Sequence, residues 1–138
     1  MNGKAFLDTN ILVYLYSKTE KDKMEKAQSM LDKHDCVVNV HVMSETSNVL
    51  MKKYNKSAAK TKELLNNIEL ICDEVLSVQR KTINKAIDIK ERYGFSFYDC
   101  LMLASAIEGG CQFIFTEDMN DGQIIDGTLK IINPFNSL

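Results

Sequence analysis

The chain has 138 residues, 45% of them hydrophobic and 26% charged, which fits one globular domain with a single core. A formal net charge of −2 excludes whole-protein attraction to nucleic acid or anionic membrane, so any polyanion site must rest on local cations or a bound metal. The four cysteines (Cys36, Cys72, Cys100, Cys111) form no C-x-x-C pair and sit in largely apolar surroundings, which predicts buried free thiols in a reducing compartment.

Ala5-Phe6-Leu7 is a short apolar run that predicts a buried strand, and it stops abruptly at Asp8-Thr9-Asn10. Ile11 to Tyr16 resumes as a helix. Strand, polar turn and helix open an α/β sheet, in which chemistry gathers beyond the carboxyl ends of the strands. Asp8 also interrupts the apolar run too early for a signal peptide, and no apolar stretch is long enough to span a bilayer. The expectation is a cytoplasmic protein.

Met24, Ala27 and Leu31 recur at helical spacing over 21–33, and Cys36 to Val40 reads as the second strand. Ser44 is the expected N-cap of a helix carrying Glu45, Thr46, Val49, Leu50 and Tyr54. After a break, Ser57 caps a helix with Ala58, Thr61, Leu64, Leu65, Ile68 and Ile71 on one face. Val75 to Val78 is a weak third strand. The helix over 79–93 should turn Ile83, Ala86 and Ile87 inward, and Gly94 suits its left-handed C-terminal cap. Cys100 to Ile107 is apolar nearly all round and predicts a buried helix opened by Ser96-Phe97-Tyr98-Asp99. Gln112 to Thr116 is a fourth strand, followed by the acidic loop 117–122. Leu129 to Ile132 is the last, stopped by Pro134.

Alternating strands and helices imply an α/β/α sandwich around a mainly parallel sheet, a single domain over 1–138. On that plan Asp8 follows the first strand and Asp118 the fourth. Glu45 lies early in the helix after the second strand, and Asp99 in the first turn of the buried helix. Four carboxylates that converge repel one another unless a cation lies between them. Oxygen donors without His or Cys at ligand spacing favour Mg²⁺ or Mn²⁺ over zinc. A carboxylate-held magnesium ion suits phosphate chemistry, activating water and stabilising charge on the transferring phosphoryl group.

The segments FLDTNILVYLY, Glu45 in a post-strand helix, FSFYDCLMLASA and IFTEDMNDGQ resemble the successive motifs of the PIN domain, and within it the VapC-type toxin ribonucleases. The resemblance runs to the ending DGTLKIINPF. It implies metal-binding acids at Asp8, Glu45, Asp99 and Asp118, with Thr116 and Asn10 as supporting polar residues. It also implies a PIN-like sheet of about five parallel strands, an Mg²⁺-dependent endoribonuclease, a homodimer, and a protein antitoxin as partner. Glu117 and Asp121 have less claim as neighbours in an acidic loop.

Each acid has a plainer reading. Asp8 could simply cap a helix, Ser96 and Asp99 could form a capping pair, Glu45 could answer the helix dipole, and Asp118 could serve a turn. Separate caps have no reason to fall at one sheet edge, so jointly the acids favour a site. His34 and His41 have no partners at catalytic spacing. Lys52, Lys53, Lys56, Lys60 and Lys62 form a run without an intervening acid, either a solvated face or an RNA-backbone track. Two alternatives to the ribonuclease stand: a non-catalytic RNA- or partner-binding module, and a haloacid dehalogenase-type phosphohydrolase. The latter needs a second Asp where this chain has Asn10.

Overall fold

A computed structural model describes residues 3–138. Twelve elements follow in order: β1 (Lys4–Leu7), α1 (Thr9–Tyr14), α2 (Lys21–Lys33), β2 (Asp35–Asn39), α3 (Val40–Lys52), α4 (Ala58–Ile71), β3 (Glu74–Leu76), α5 (Arg80–Tyr93), α6 (Phe97–Glu108), β4 (Phe113–Phe115), β5 (Ile124–Ile125) and β6 (Leu129–Ile132). The strands form one sheet in the order β3-β2-β1-β4-β6-β5. The first five in that order are mutually parallel, as expected; only β5 is antiparallel, paired with β6. Parallel neighbours need crossovers, and right-handed crossovers put α1–α4 on one face and α5–α6 on the other. The packing agrees: α1 meets α2 and α3, α3 meets α4, and α5 lies along α6.

β1 is an interior strand, flanked by β2 and β4. Its Ala5, Phe6 and Leu7 are fully buried because helices cover both sides of the sheet. The expected apolar helix α6 is buried from Cys100 to Ala106. All four cysteines are free and buried, and burial pushes the thiols of Cys36 and Cys111 up to about 12 and that of Cys72 to about 11. No helix among the described residues is long and apolar enough to cross a membrane.

Three local expectations are corrected. Asn39, not Ser44, caps α3, so the helix starts at Val40. Asn39 Oδ1 accepts from the Val42 amide at 2.7 Å while its Nδ2 donates to Ser105 Oγ at 2.8 Å, so one amide side chain both caps α3 and ties it to α6. Helix α5 buries Thr82, Ala86 and Ile89 rather than Ile83 and Ile87, which is 52% exposed. The Thr82 hydroxyl accepts from the Gln79 amide and donates to Glu108, and this turns that side of the helix toward α6. In α4, Ile71 faces solvent although Thr61, Leu64 and Ile68 are buried. The short strand β5 arises from Asp126-Gly127, both at positive φ (51° and 73°), which close a hairpin onto β6.

The side chain of Asn39 is fully buried, so removing it strands both partners. Asn39→Ala should lower unfolding stability by about 2 kcal/mol or more in urea titration, and Ser105→Ala by about 1 kcal/mol. A loss in Asn39→Ala below about 0.5 kcal/mol would show that the bond to Ser105 carries no weight.

Candidate metal centre

The central acid is built by the end of β1. The Asp8 amide still donates to the Phe115 carbonyl, at 3.1 Å, so its backbone is pinned to β4 while its side chain emerges beyond the sheet. Asp8 is then the N-cap of α1: Oδ1 accepts from the Thr9 amide at 2.6 Å. Oδ2 accepts from the Thr116 hydroxyl, also at 2.6 Å. Thr116 in turn accepts from the Asp118 amide at 3.2 Å, and Asn10 Nδ2 donates to Asp118 Oδ2 at 3.1 Å. One chain of hydrogen bonds therefore orients Asp8 and the loop bearing Asp118.

Asp8 is only 5% exposed. Burial pushes its carboxyl from 3.8 to about 6, against the two hydrogen bonds that favour its ionised form; the charges of Asp118 and Asp99 add to the rise. Asp99, half-buried in the first turn of α6, is also held above the ordinary carboxylate range, first by burial and then by Asp118, with a Ser96 hydrogen bond opposing. Asp8, Asp99 and Asp118 thus share one electrostatic field. Ser96 does cap α6, accepting from the Asp99 amide, so capping and clustering coexist in the same residues.

Glu45 is placed differently. Since α3 begins at Val40, Glu45 sits in the second turn, and its Oε1 lies 2.8 Å from His41 Nε2, near enough to pair but off the line of the ring N–H. His41 does have a partner, one helical turn away, that its spacing to Glu45 signals. It stacks on Tyr98, with ring centroids 5.0 Å apart and planes at 8°.

Glu117 is tied by a hydrogen bond from Tyr14 OH (2.5 Å) and by Lys23 Nζ (3.2 Å), a cluster the sequence reading missed because its members are far apart in the chain. Asp121 accepts from the Asn133 amide and the Asn136 side chain and so anchors the C-terminal turn. Of the lysines, Lys60 pairs with Glu63, and Lys53 closes the far end of α3, about 18 Å along the helix from His41.

The residues present fit a hard cation. Three carboxylates repel one another, and Thr9 Oγ1 is buried beside Asp8 with no hydrogen-bond partner among the described residues. No group of three or more His, Cys, Asp or Glu among those residues is gathered tightly enough to hold a metal unaided. Mg²⁺ does not require that, since it keeps several waters and takes one or two carboxylates directly.

The sequence from residue 5 to 120 matches the PIN domain family. This chain is a PIN domain. Its fold is shared with a toxin–antitoxin complex from Klebsiella pneumoniae (TM-score 0.71, 20% identity, 95% of this chain and 98% of that one). The sarcin–ricin loop cleaving toxin VapC20 of Mycobacterium tuberculosis has a TM-score of 0.67 at 20% identity, over 83% of this chain and 91% of that one. FitAcB from Neisseria gonorrhoeae has a TM-score of 0.65 at 14% identity, over 96% and 99%. None of the curated proteins compared matches the sequence. PIN domains are typically nucleases and generally metal-dependent.

A folded-state value near 6, against 3.8 unfolded, means the folded PIN domain binds this proton the more tightly. Stability from Asp8 is then full below about pH 4 and lost as pH rises through about 6, in total on the order of 3 kcal/mol. In metal-free buffer, Asp8→Asn should gain on the wild type by that order between about pH 4 and pH 8, beyond any constant offset from altered hydrogen bonds. A stability difference that is flat with pH would show that Asp8 is not held in its costly charged form.

Proposed function

We propose that this PIN domain is an Mg²⁺- or Mn²⁺-dependent endoribonuclease, the toxin of a toxin–antitoxin pair. The observation that carries this reading is the buried Asp8, fixed through both oxygens, in the field of Asp99 and Asp118. Such a cluster is costly without a cation and productive with one. Asp8, Asp99 and Asp118 would hold the ion, which supplies an activated water and charge stabilisation at phosphorus.

The chain's own residues do the rest. Thr116 and the Thr9 amide keep Asp8 from rotating, so its free lone pairs stay aimed beyond the sheet edge. Asn10 restrains the exposed Asp118. Glu45, next to His41 at the start of α3, serves as a further ligand or orients the attacking water. The structurally similar toxin–antitoxin complex from Klebsiella pneumoniae supports an antitoxin partner, and the motif resemblance supports a homodimer. Lys52, Lys53, Lys56 and Lys60 would meet flanking phosphates rather than the scissile one, given their distance along α3 and beyond.

Purified protein should cut single-stranded or loop-containing RNA with Mg²⁺ or Mn²⁺ and stop on addition of EDTA. Asp8→Asn and Asp99→Asn should each abolish cutting while the circular dichroism stays native. Activity that persists in excess chelator, or in either variant, overturns the mechanism.

The lysine track is tested separately, in an Asp8→Asn background. Replacing Lys53, Lys56 and Lys60 with Gln should flatten the dependence of log affinity on log salt by about two units. An unchanged slope would assign the run to a solvated face.

A further inference from the structure

Tyr98 stands immediately before Asp99 in the first turn of α6, yet its residue is 60% exposed. One face of its ring is covered by His41, stacked nearly parallel, and Phe97 meets it edge-on at 5.6 Å and 74°. Glu45, 2.8 Å from His41 Nε2, helps to fix the imidazole beneath the phenol. With one face stacked on His41 the residue is still 60% exposed, so the uncovered ring surface is turned to solvent. A rigid ring presented in this way loses little conformational freedom when something flat lies on it.

We propose that the open face of Tyr98, backed by His41, is a stacking platform for one unpaired nucleobase of the RNA strand beside Asp99. This rests on the endoribonuclease reading and extends it to how the strand is gripped. Bases carry a π-face, and single-stranded RNA is held chiefly by stacking on aromatic rings and imidazoles. The local charge favours a base over a phosphate: Glu45 and Asp99 flank the Tyr98–His41 pair, and they repel anions but not a neutral ring. The platform also adjoins the cluster in the chain, since Tyr98 and Asp99 have Cα atoms about 3.8 Å apart. A strand with a phosphate held at the acids can therefore bring a flanking base toward residue 98.

The test measures binding without cleavage. In the Asp8→Asn background, an oligouridylate carrying a single fluorescent 2-aminopurine, or a single abasic site, at each position in turn is titrated by fluorescence and competition. One position should show 2-aminopurine quenching that is lost in Tyr98→Ala and kept in Tyr98→Phe. Tyr98→Ala should weaken binding about tenfold. The abasic site at that position should weaken the Tyr98-containing protein about tenfold and leave Tyr98→Ala unaffected, because the same contact is already gone. Equal abasic penalties with and without Tyr98, or undiminished affinity in a folded Tyr98→Ala, overturn the platform. If the coupling is present but wild-type protein cuts no RNA, the platform stands and the nuclease reading fails. If RNA is cut without the coupling, the reverse holds.

Discussion

A carboxylate buried at the end of an interior strand governs this molecule. Asp8 is held by the Thr9 amide on one oxygen and the Thr116 hydroxyl on the other, and its own amide continues the β1–β4 ladder. Those three bonds come from α1, from the residue that follows β4, and from β4 itself. The site and the sheet therefore cannot be separated: a shift of β4 against β1 would break both the ladder and the grip on the acid. Desolvation works against the same group, so the fold holds its central acid where its charge is least comfortable.

Capping and clustering are usually weighed as rivals for such residues, and here they are not. Asp8 is a genuine N-cap and Ser96 caps the helix that carries Asp99. Each cap fixes the start of a helix at the sheet edge: in α1 the cap is itself the acid, and in α6 it sets the first turn that carries Asp99. The local rule that made the plain readings attractive is also the device that builds the cluster.

The parallel sheet, the buried α6 and the order of the acidic motifs were legible because they depend on local pattern: short apolar runs, helical periodicity and polar strand ends. What was not legible depended on distant partners. Asn39 caps α3 through the nearby Val42 amide, and the same side chain is held by Ser105, 66 residues away. Thr82 sets the inward side of α5 because Glu108 takes its hydroxyl, and periodicity alone chose Ile83 and Ile87 instead. The Glu117 cluster joins Tyr14 and Lys23 across more than 90 residues. Two signals were within reach. The i, i+4 spacing of His41 and Glu45 predicts their contact, and Asp126-Gly127 before the last strand predicts the hairpin that adds β5.

The bond between Thr116 and Asp8 spans 108 positions of the chain. During synthesis β1 emerges early with its acid and has no β4 to pair with until most of the polypeptide has followed. Until then Asp8 has neither its hydroxyl partner nor the field of Asp99 and Asp118, and parallel pairing over such a separation forms late in any case. A ribosome-bound or prematurely terminated chain that lacks β4 thus carries the first acid but no assembled centre. The topology itself delays the assembly of the acid cluster until the chain is nearly complete.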